Sequence, residues 1–323
     1  MKFKLFFILI LTVCLLCCGC KQEPMEATVP STTVVTEPPT EPPAPKAGLL
    51  LRNLNADDQD GISLQTAMEG LGYEVLVRDG ENDQAKQNEQ ALALLDAGCE
   101  ILVLQPVMTA GVDVLLKDLT AVPVIILDAQ PVLDDAFTNV TVLTPRKTTA
   151  GTVEASLLAT IPNGGDINGD GVVSMILLRG PDKHLDATAR SSEFETALST
   201  ENHMVLETIS GEWTADGGKS ACAQMLAKHG PDIEVIVTFG EEMGMGAIAA
   251  VENGGWIPGR DFHLLTVGSS TAVRNELRLG RFSGLAAPDA EARLQQLQQL
   301  ITAMSQGQST EKINYIDYIA MNP

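Results

Sequence analysis

A regular alternation of short apolar segments with longer amphipathic segments begins at Ala47 and continues through the rest of the chain. Ile101–Leu104 and Val122–Leu127 contain no polar residue, and Val112–Leu119 between them has the spacing of a helix with one apolar face. Strands that are apolar on both faces and separated by amphipathic helices predict a parallel sheet covered by helices on both sides. The predicted fold class is therefore α/β.

The alternation restarts after a turn-rich segment at 128–138. The strands expected beyond it are Val140–Leu143, Val172–Leu178, Val205–Ile209, Val235–Val237 and His263–Val267. One open sheet with all of these strands would be unusually wide, so we predict two Rossmann-like lobes with doubly wound parallel sheets. Such sheets bind ligands at the carboxyl ends of their strands, which makes a cleft between the lobes the expected site.

The first residues have the pattern of an export signal. Lys2 and Lys4 precede the apolar run Leu5–Cys18, which is short for a membrane span. The run closes with Gly19 and Cys20 and resembles the lipobox of bacterial lipoproteins. We expect residues 1–19 to be a signal peptide and Cys20 to carry lipid, with Cys18 as a rival acceptor and an uncleaved anchor as the alternative. Either outcome places the body outside the cytoplasm and ties it to a membrane.

Residues 20–46 are rich in proline, threonine and glutamate, a composition that has little to bury and predicts a disordered tether. Of the six cysteines, only Cys99 and Cys222 lie beyond this segment, and we interpret both as buried free thiols rather than a disulfide. The chain has 42 acidic and 21 basic residues and a formal net charge of −21. This charge argues against nucleic acid and against electrostatic docking on anionic lipid.

An oxygen-rich loop at 166–171 has the spacing of an EF-hand-like calcium loop. Gly171 stands where such a loop turns sharply, but Leu177 stands where its last glutamate would be, so that carboxylate must come from elsewhere. An ordinary Asp/Asn/Gly turn is the alternative. The loop's candidate ligands are Asp166, Asn168, Asp170, the carbonyl of Val172, and Ser174.

Four segments together resemble the periplasmic galactose/glucose-binding proteins: 82–90, the loop at 166–171, 184–190 and 233–236. The resemblance implies the type I periplasmic-binding-protein fold, with two lobes joined by three hinge crossings. It implies a first lobe of 47–128 and 288–311 and a second of 129–287 and 312–323. It also implies that Glu234 completes a structural Ca²⁺ site.

The resemblance implies that His184, Asp186 and Arg190 contact a sugar, since carboxylate and guanidinium groups can bond two groups on one ring. A local alternative is that Asp186 caps a helix and pairs with Arg190 one turn later. The other expected contacts are Trp213, for which a core tryptophan is the alternative, with Gln105, Asn55 and Asp57.

Four positions depart from the family's sugar contacts. Gly240 and Pro288 stand where the family has asparagines, Gly268 where it has an aspartate, and Asp58 about where it has a second stacking aromatic. We therefore expect a ligand that differs from glucose and galactose or is larger, or else a site that no longer binds sugar.

The sequence predicts a monomeric, lipid-anchored extracytoplasmic binding protein that delivers a small polar ligand, expected to be a sugar, to an ABC importer. The alternative is a sensor that presents its closed form to a membrane receptor or kinase. We do not expect an enzyme, because the chain has no G-x-S-x-G, H-E-x-x-H or Walker motif, and its only G-x-G-x-x-A match, at 244–249, falls in a predicted helix.

Overall fold

A computed structural model describes residues 43–54, 59–198 and 201–323. The predicted signal peptide, Cys18, Cys20 and most of the tether lie outside the described residues, as do Asn55, Asp57 and Asp58. The described chain forms two sheets of six strands each.

The first sheet has the strand order β11-β5-β4-β3-β1-β2, with every neighbouring pair parallel. Its strands, numbered along the whole chain, are β1 (Lys46–Leu51), β2 (Glu74–Asp79), β3 (Cys99–Leu104), β4 (Val124–Leu127), β5 (Val140–Pro145) and β11 (Ile313–Ile316).

The second sheet repeats this topology in the order β12-β10-β9-β8-β6-β7, and all its pairs are parallel except β10 with β12. Its strands are β6 (Val173–Arg179), β7 (His203–Ser210), β8 (Val235–Thr238), β9 (His263–Val267), β10 (Gly284–Pro288) and β12 (Tyr318–Met321).

Helices connect the strands and cover the sheets. They are α1 (Gln59–Glu69), α2 (Gln84–Asp96), α3 (Val112–Leu116), α4 (Thr149–Ser156), α5 (Leu185–Ala197), α6 (Ala215–His229), α7 (Glu241–Asn253), α8 (Thr271–Arg278) and α9 (Ala290–Ser305). Several begin at a side chain that accepts a backbone N–H, among them Asp83, Thr214, Ser270 and Asp289. These residues supply acceptors for the otherwise unpaired first N–H groups of a helix. Within the described ranges, no helix combines the length and apolar composition needed to cross a membrane.

The central strands confirm the α/β prediction. Every residue of β4, β8 and β9 is buried, because helices pack on both faces of each sheet. Cys99 and Cys222 are buried free thiols, as expected, and burial raises the pKa of the Cys222 thiol to about 12.

The chain passes between the sheets three times: after β5, after β10, and between β11 and β12. Helix α9 packs in the core of the first sheet, where the family resemblance placed it.

Two expected boundaries differ from the strand pairing. The second lobe was expected to begin at 129, but Val140–Pro145 pairs with β4 and belongs to the first sheet. The terminal segment 312–323 was expected to lie wholly in the second lobe. It divides at Asp317 instead, so that Ile313–Ile316 pairs with β5 and only Tyr318–Met321 pairs with β10. In both cases the strand pairs with the edge of the first sheet, where backbone N–H and C=O groups would otherwise be unpaired. Apolar periodicity predicts that a segment forms a strand, but it does not predict which of the two sheets the strand joins.

Helices α4 and α5 approach closely at Gly151. A Cβ at this position would lie 2.1 Å from the carbonyl oxygen of Arg190 and 2.8 Å from the amide nitrogen of Phe194. Both atoms belong to the backbone of α5, so no side-chain movement can make room.

We predict that Gly151→Ala lowers the free energy of unfolding by about 1–3 kcal/mol, because overpacking forces backbone shifts. Thr152→Ala changes the exposed face of the same helix and should alter stability by no more than about 0.5 kcal/mol. Denaturant unfolding of the two variants checks this, and equal stabilities would contradict the close packing.

Candidate functional site

The carboxyl ends of the second sheet's strands surround a cavity of about 420 Å³. Three of the expected contact residues and three of the positions that depart from the family's pattern line it: Asp186, Arg190, Trp213, Gly240, Gly268 and Pro288. The cavity is therefore where the expected contact residues meet positions that were expected to depart from the family's pattern.

The start of α5 arranges the trio at 184–190. The side chain of His184 is the cap, since its Nδ1 accepts a hydrogen bond from the amide of Asp186 at 3.2 Å. Asp186 accepts from Lys147 Nζ at 2.6 Å, and Arg190 donates from Nη1 to the carbonyl oxygen of Phe239 at 2.7 Å. Among the described residues, no ion pair joins Asp186 to Arg190, so neither part of the local alternative describes this helix.

Trp213 packs tightly into the wall of the cavity. Its ring meets the His184 ring edge to face, with centroids 4.2 Å apart and planes at 70°. The indole also lies over Gly180, where a Cβ would be 2.2 Å from Cε2. Glu212 and Trp213 both have positive φ, 54° and 55°, a conformation that costs free energy in residues other than glycine and concentrates at functional sites. Within the described structure, the buried indole Nε1 has no hydrogen-bond partner.

The altered positions are filled by neighbouring side chains. A Cβ at Gly268 would lie 2.5 Å from Cβ of Glu241 and 2.8 Å from its Oε2. That oxygen accepts from the amides of Ser269 and Ser270, both at 3.1 Å. An aspartate at 268 has no room here, and the carboxylate beside this strand end comes from the first turn of α7 instead.

The first lobe contributes a polar network at the carboxyl ends of β3 and β4. Gln105 donates to Asp128 Oδ2 at 2.9 Å, and Arg293 donates to the same oxygen at 2.6 Å and to Asp60 Oδ1 at 2.5 Å. Burial opposes the charge on Arg293, but the two carboxylates outweigh it and raise the pKa of the guanidinium. Gln105 thus lies at the carboxyl end of β3 and is not among the residues that line the cavity, and its amide nitrogen is engaged within its own lobe.

Tyr318 is electrostatically linked to both lobes. Burial raises the pKa of its hydroxyl; Arg190 acts in the opposite direction, while the carboxylates of Asp186 and Asp128 add to the rise. Asp128 follows a strand of the first sheet, whereas Asp186 and Arg190 belong to the second lobe. Charged side chains of both lobes therefore influence the pKa of Tyr318.

Sequence reasoning missed several of these residues. They are Lys147, Glu241, Glu242 and Tyr318 on the cavity and Asp128 and Arg293 in the first lobe. Asp128 directly follows an apolar strand, so the rule that ligands bind at carboxyl ends could have found it. The remaining residues carry no comparable local signal.

The loop at 166–171 folds around its own side chains. Asp166 accepts from the amides of Gly169 at 2.6 Å and Gly171 at 3.0 Å, and Asn168 accepts from the amide of Asp170 at 2.8 Å. Asp170 accepts in turn from the amide of Val172 at 2.8 Å. Gly169 and Gly171 have φ of 79° and 89°, the left-handed region that favours glycine.

Glu234 fastens this loop to the sheet. It is 1% exposed; its Oε1 accepts from the amides of Ile167 at 2.7 Å and Asn168 at 3.0 Å, and its Oε2 accepts from the amide of Ser174 at 2.8 Å. In the described ranges, no ion pair involves Asp166, Asp170 or Glu234. His, Cys, Asp and Glu side chains of these ranges form no metal-binding group of three on their own. A cation here would also need the amide, hydroxyl and carbonyl oxygens that the sequence supplies.

Comparison with known proteins gives a family and several relatives. The family described as "Periplasmic binding protein domain" matches residues 57–309. The ribose import binding protein RbsB of Salmonella typhimurium is 25% identical over 200 residues, covering 59% of this chain and 62% of the relative. The D-galactose/methyl-galactoside binding periplasmic protein MglB of Haemophilus influenzae is 23% identical over 248 residues and covers 74% of each chain.

Solved structures agree on the fold. A periplasmic ribose ABC transporter structure from Conexibacter woesei has a TM-score of 0.70 at 15% identity, covering 86% of this chain and 92% of that one. A solute binding protein from Bacillus halodurans with bound myo-inositol has a TM-score of 0.62 at 18% identity, covering 88% and 96%. The two-lobe α/β architecture and the family resemblance are confirmed, and the chain belongs to the periplasmic binding protein domain family.

Proposed function

We propose that this protein captures a sugar or sugar-like polyol in the cavity at the carboxyl ends of the second sheet and delivers it to an ABC importer. The observation that carries the proposal is the convergence of Asp186, Arg190 and Trp213 on one cavity. A carboxylate and a guanidinium can each bond two ring hydroxyls, and an indole can pack on the apolar face of a sugar. The role is binding, without catalysis.

Relatives indicate the ligand class. The names of several relatives refer to ribose, galactose, galactofuranose or xylitol, and one solved structure contains myo-inositol. All are small polyhydroxylated molecules. The replacement of an aspartate at 268 by glycine, with Glu241 filling the space, favours a ligand whose hydroxyl pattern differs from that of glucose.

The lipid anchor is part of the proposal. Cleavage before Cys20 would leave a lipidated N-terminus, and residues 21–46 would serve as the spacer between that anchor and the body. The binding protein would then work at the outer surface of the membrane that holds its importer.

We further propose that the loop at 166–171 holds a structural Ca²⁺. Asp166, Asn168, Asp170, the carbonyl of Val172, Ser174 and Glu234 are the expected ligands. Support comes from donor chemistry, since Ca²⁺ prefers oxygen ligands and the loop spacing supplies them. Charge also supports it. The carboxylates of Asp166 and Asp170 in the loop, and of Glu234 bonded to it, form no ion pair with a cationic side chain in the described part of the chain. The ion would stabilise the start of β6 and would not contact ligand.

We predict that sugar binding changes the fluorescence of Trp213. The sequence has two tryptophans, and Trp256 packs in the second lobe's core against Phe262, so Trp256→Phe leaves Trp213 as the only reporter. Titration with ribose, galactose, methyl-galactoside, xylitol and myo-inositol should give a saturable change for at least one of them. A flat response to the whole panel, with a flat calorimetric titration of the wild type, would contradict the proposal.

Arg190→Gln should weaken that binding roughly ten- to hundredfold, because a hydrogen bond to a charged group contributes about 1.5–3 kcal/mol. Arg278→Gln, on the exposed face of α8, is the matched control and should bind as the wild type does. Equal affinity of the two variants would remove Arg190 from the site.

For the metal, we predict that a chelator lowers the melting temperature of the wild type and that added Ca²⁺ restores it. A ligand that binds only the folded state at 100 times its Kd contributes about 2.7 kcal/mol. Glu234→Ala should abolish the response to Ca²⁺, while Asp232→Ala, an exposed acid two residues earlier, should keep it. An unchanged wild-type melting curve in chelator would count against the site.

A further inference from the structure

Helix α4 carries a buried carboxylate that is not among the residues lining the cavity. Glu154 is 0% exposed, and in the described structure neither of its carboxylate oxygens has a hydrogen-bond partner. A buried polar group without a partner costs about 1–3 kcal/mol, and more when it is charged. Because burying Glu154 without a partner costs free energy of folding, a functional role for this carboxyl is worth considering.

The close packing of α4 on α5 brings the helix that carries Glu154 against the helix that carries Arg190. Gly151, one turn earlier on α4, lies directly against the carbonyl oxygen of Arg190. Residues three apart on a helix share a face, so Glu154 continues the surface that contacts α5. Arg190 is the charged group that acts on Glu154 electrostatically.

The Arg190 guanidinium is itself only partly satisfied. Nη1 donates to the carbonyl oxygen of Phe239, but its buried Nε has no partner within the described ranges. Glu154 therefore has two acceptors without a donor, and Arg190 on the helix packed against it has a donor without an acceptor. Direct pairing of Glu154 with Arg190 would satisfy both groups.

The other charged groups near this pair already have partners or lie outside the interface. On α5, Asp186 is paired with Lys147, and Glu193 accepts from Thr152 on the outer side of α4. On β12, the buried Tyr318 faces the same region, and on the cavity wall Glu241 is held by two amides while Glu242 is exposed. Strand β10 has no titratable side chain, and the only one of β9, His263, bonds Ser283 beside Glu234.

We propose that Glu154 is a positioning residue for Arg190: when a sugar occupies the cavity, Glu154 releases its proton to solvent and forms a buried ion pair with the guanidinium. This inference rests on the proposed function, since it takes Arg190 as a ligand contact. A bound sugar displaces water from the guanidinium, and a buried carboxylate then compensates the charge that water no longer screens.

The protonation of Glu154 in the ligand-free protein is consistent with this step. Burial raises the pKa of the Glu154 carboxyl well above its usual range, with Arg190 acting in the opposite direction. The ligand-free protein then holds this proton to a higher pH than an exposed glutamate would, and pairing in the bound state lowers the pKa. Binding therefore releases a proton and strengthens as pH rises through the window between the bound and free pKa values, by at most tenfold per pH unit.

The first measurement needs no sugar. A carboxyl whose folded pKa is raised contributes stability below the unfolded pKa, near 4.3 for a glutamate, that is lost progressively as pH rises toward the folded value. Glu154→Gln has nearly the same shape and cannot ionise, so its melting temperature should gain on the wild type from about pH 5 to pH 8. A constant difference over this range overturns the assignment of Glu154 as a buried neutral acid.

The second measurement is calorimetry with D-ribose, D-galactose and myo-inositol in turn, in buffers that differ in ionisation enthalpy. The wild type should release up to one proton per bound sugar, whereas Glu154→Gln and Glu154→Leu should release none and lose the pH dependence of Kd. Glu195→Gln, an exposed acid on α5, is the control and should keep both.

The outcomes separate the two claims. Binding without proton release, or with the same pH dependence in Glu154→Gln, overturns the ion pair and leaves the proposed function intact. Absence of binding to all three sugars, with a flat Trp213 response to the wider panel, overturns the proposed function and the ion pair with it.

Discussion

The burial of both faces of two mostly parallel sheets shapes the whole molecule. Strands such as β4, β8 and β9 are buried throughout, so their backbone groups must be satisfied within the ladder and their side chains are almost all apolar. Polar side chains can reach solvent or ligand only where a strand ends. Gln105 and Asp128 in the first lobe, like Gly240 and Gly268 in the second, stand at such positions. The sheet architecture therefore fixes where the cavity lies. The residues that follow each strand decide which polar groups line it.

Side chains from neighbouring segments fill the cavity wall. Asp186 and Arg190 line the cavity, and each has a partner that the sequence did not suggest: Lys147 and the carbonyl oxygen of Phe239. The glycines at 240 and 268 leave no empty space, because Trp213 and Met243 approach the first and Glu241 fills the second. Close packing of this kind is general in protein interiors. The carboxylate beside Gly268 is that of Glu241, at the start of α7.

Several buried polar atoms of the second lobe have no hydrogen-bond partner in the described part of the molecule. They are the indole Nε1 of Trp213, the Nε of Arg190 and both oxygens of Glu154, and other such atoms belong to Gln90, Thr144, Arg179 and Arg293. Most buried polar groups in native proteins are satisfied, so each of these atoms calls for a physical explanation. By contrast, the carboxylate of Glu234 accepts hydrogen bonds from three backbone N–H groups, which connect the loop at 166–171 to the start of β6 and to β8.

The fold class, the duplication of the lobes and the presence of Asp186 and Arg190 at the start of one helix can all be inferred from residue patterns along the chain. These features are local: apolar periodicity fixes strands and helices, and residues two to four apart on one element stay neighbours in any tertiary arrangement. The folded structure adds contacts between distant segments. Asp186 pairs with Lys147, 39 residues earlier, the helix of Glu154 packs on the helix of Arg190, and the terminal segment divides at Asp317 between two sheets. Such contacts depend on how two helices pack and on which sheet edge a strand meets. These are properties of distant segments brought together, and no spacing along the chain encodes them.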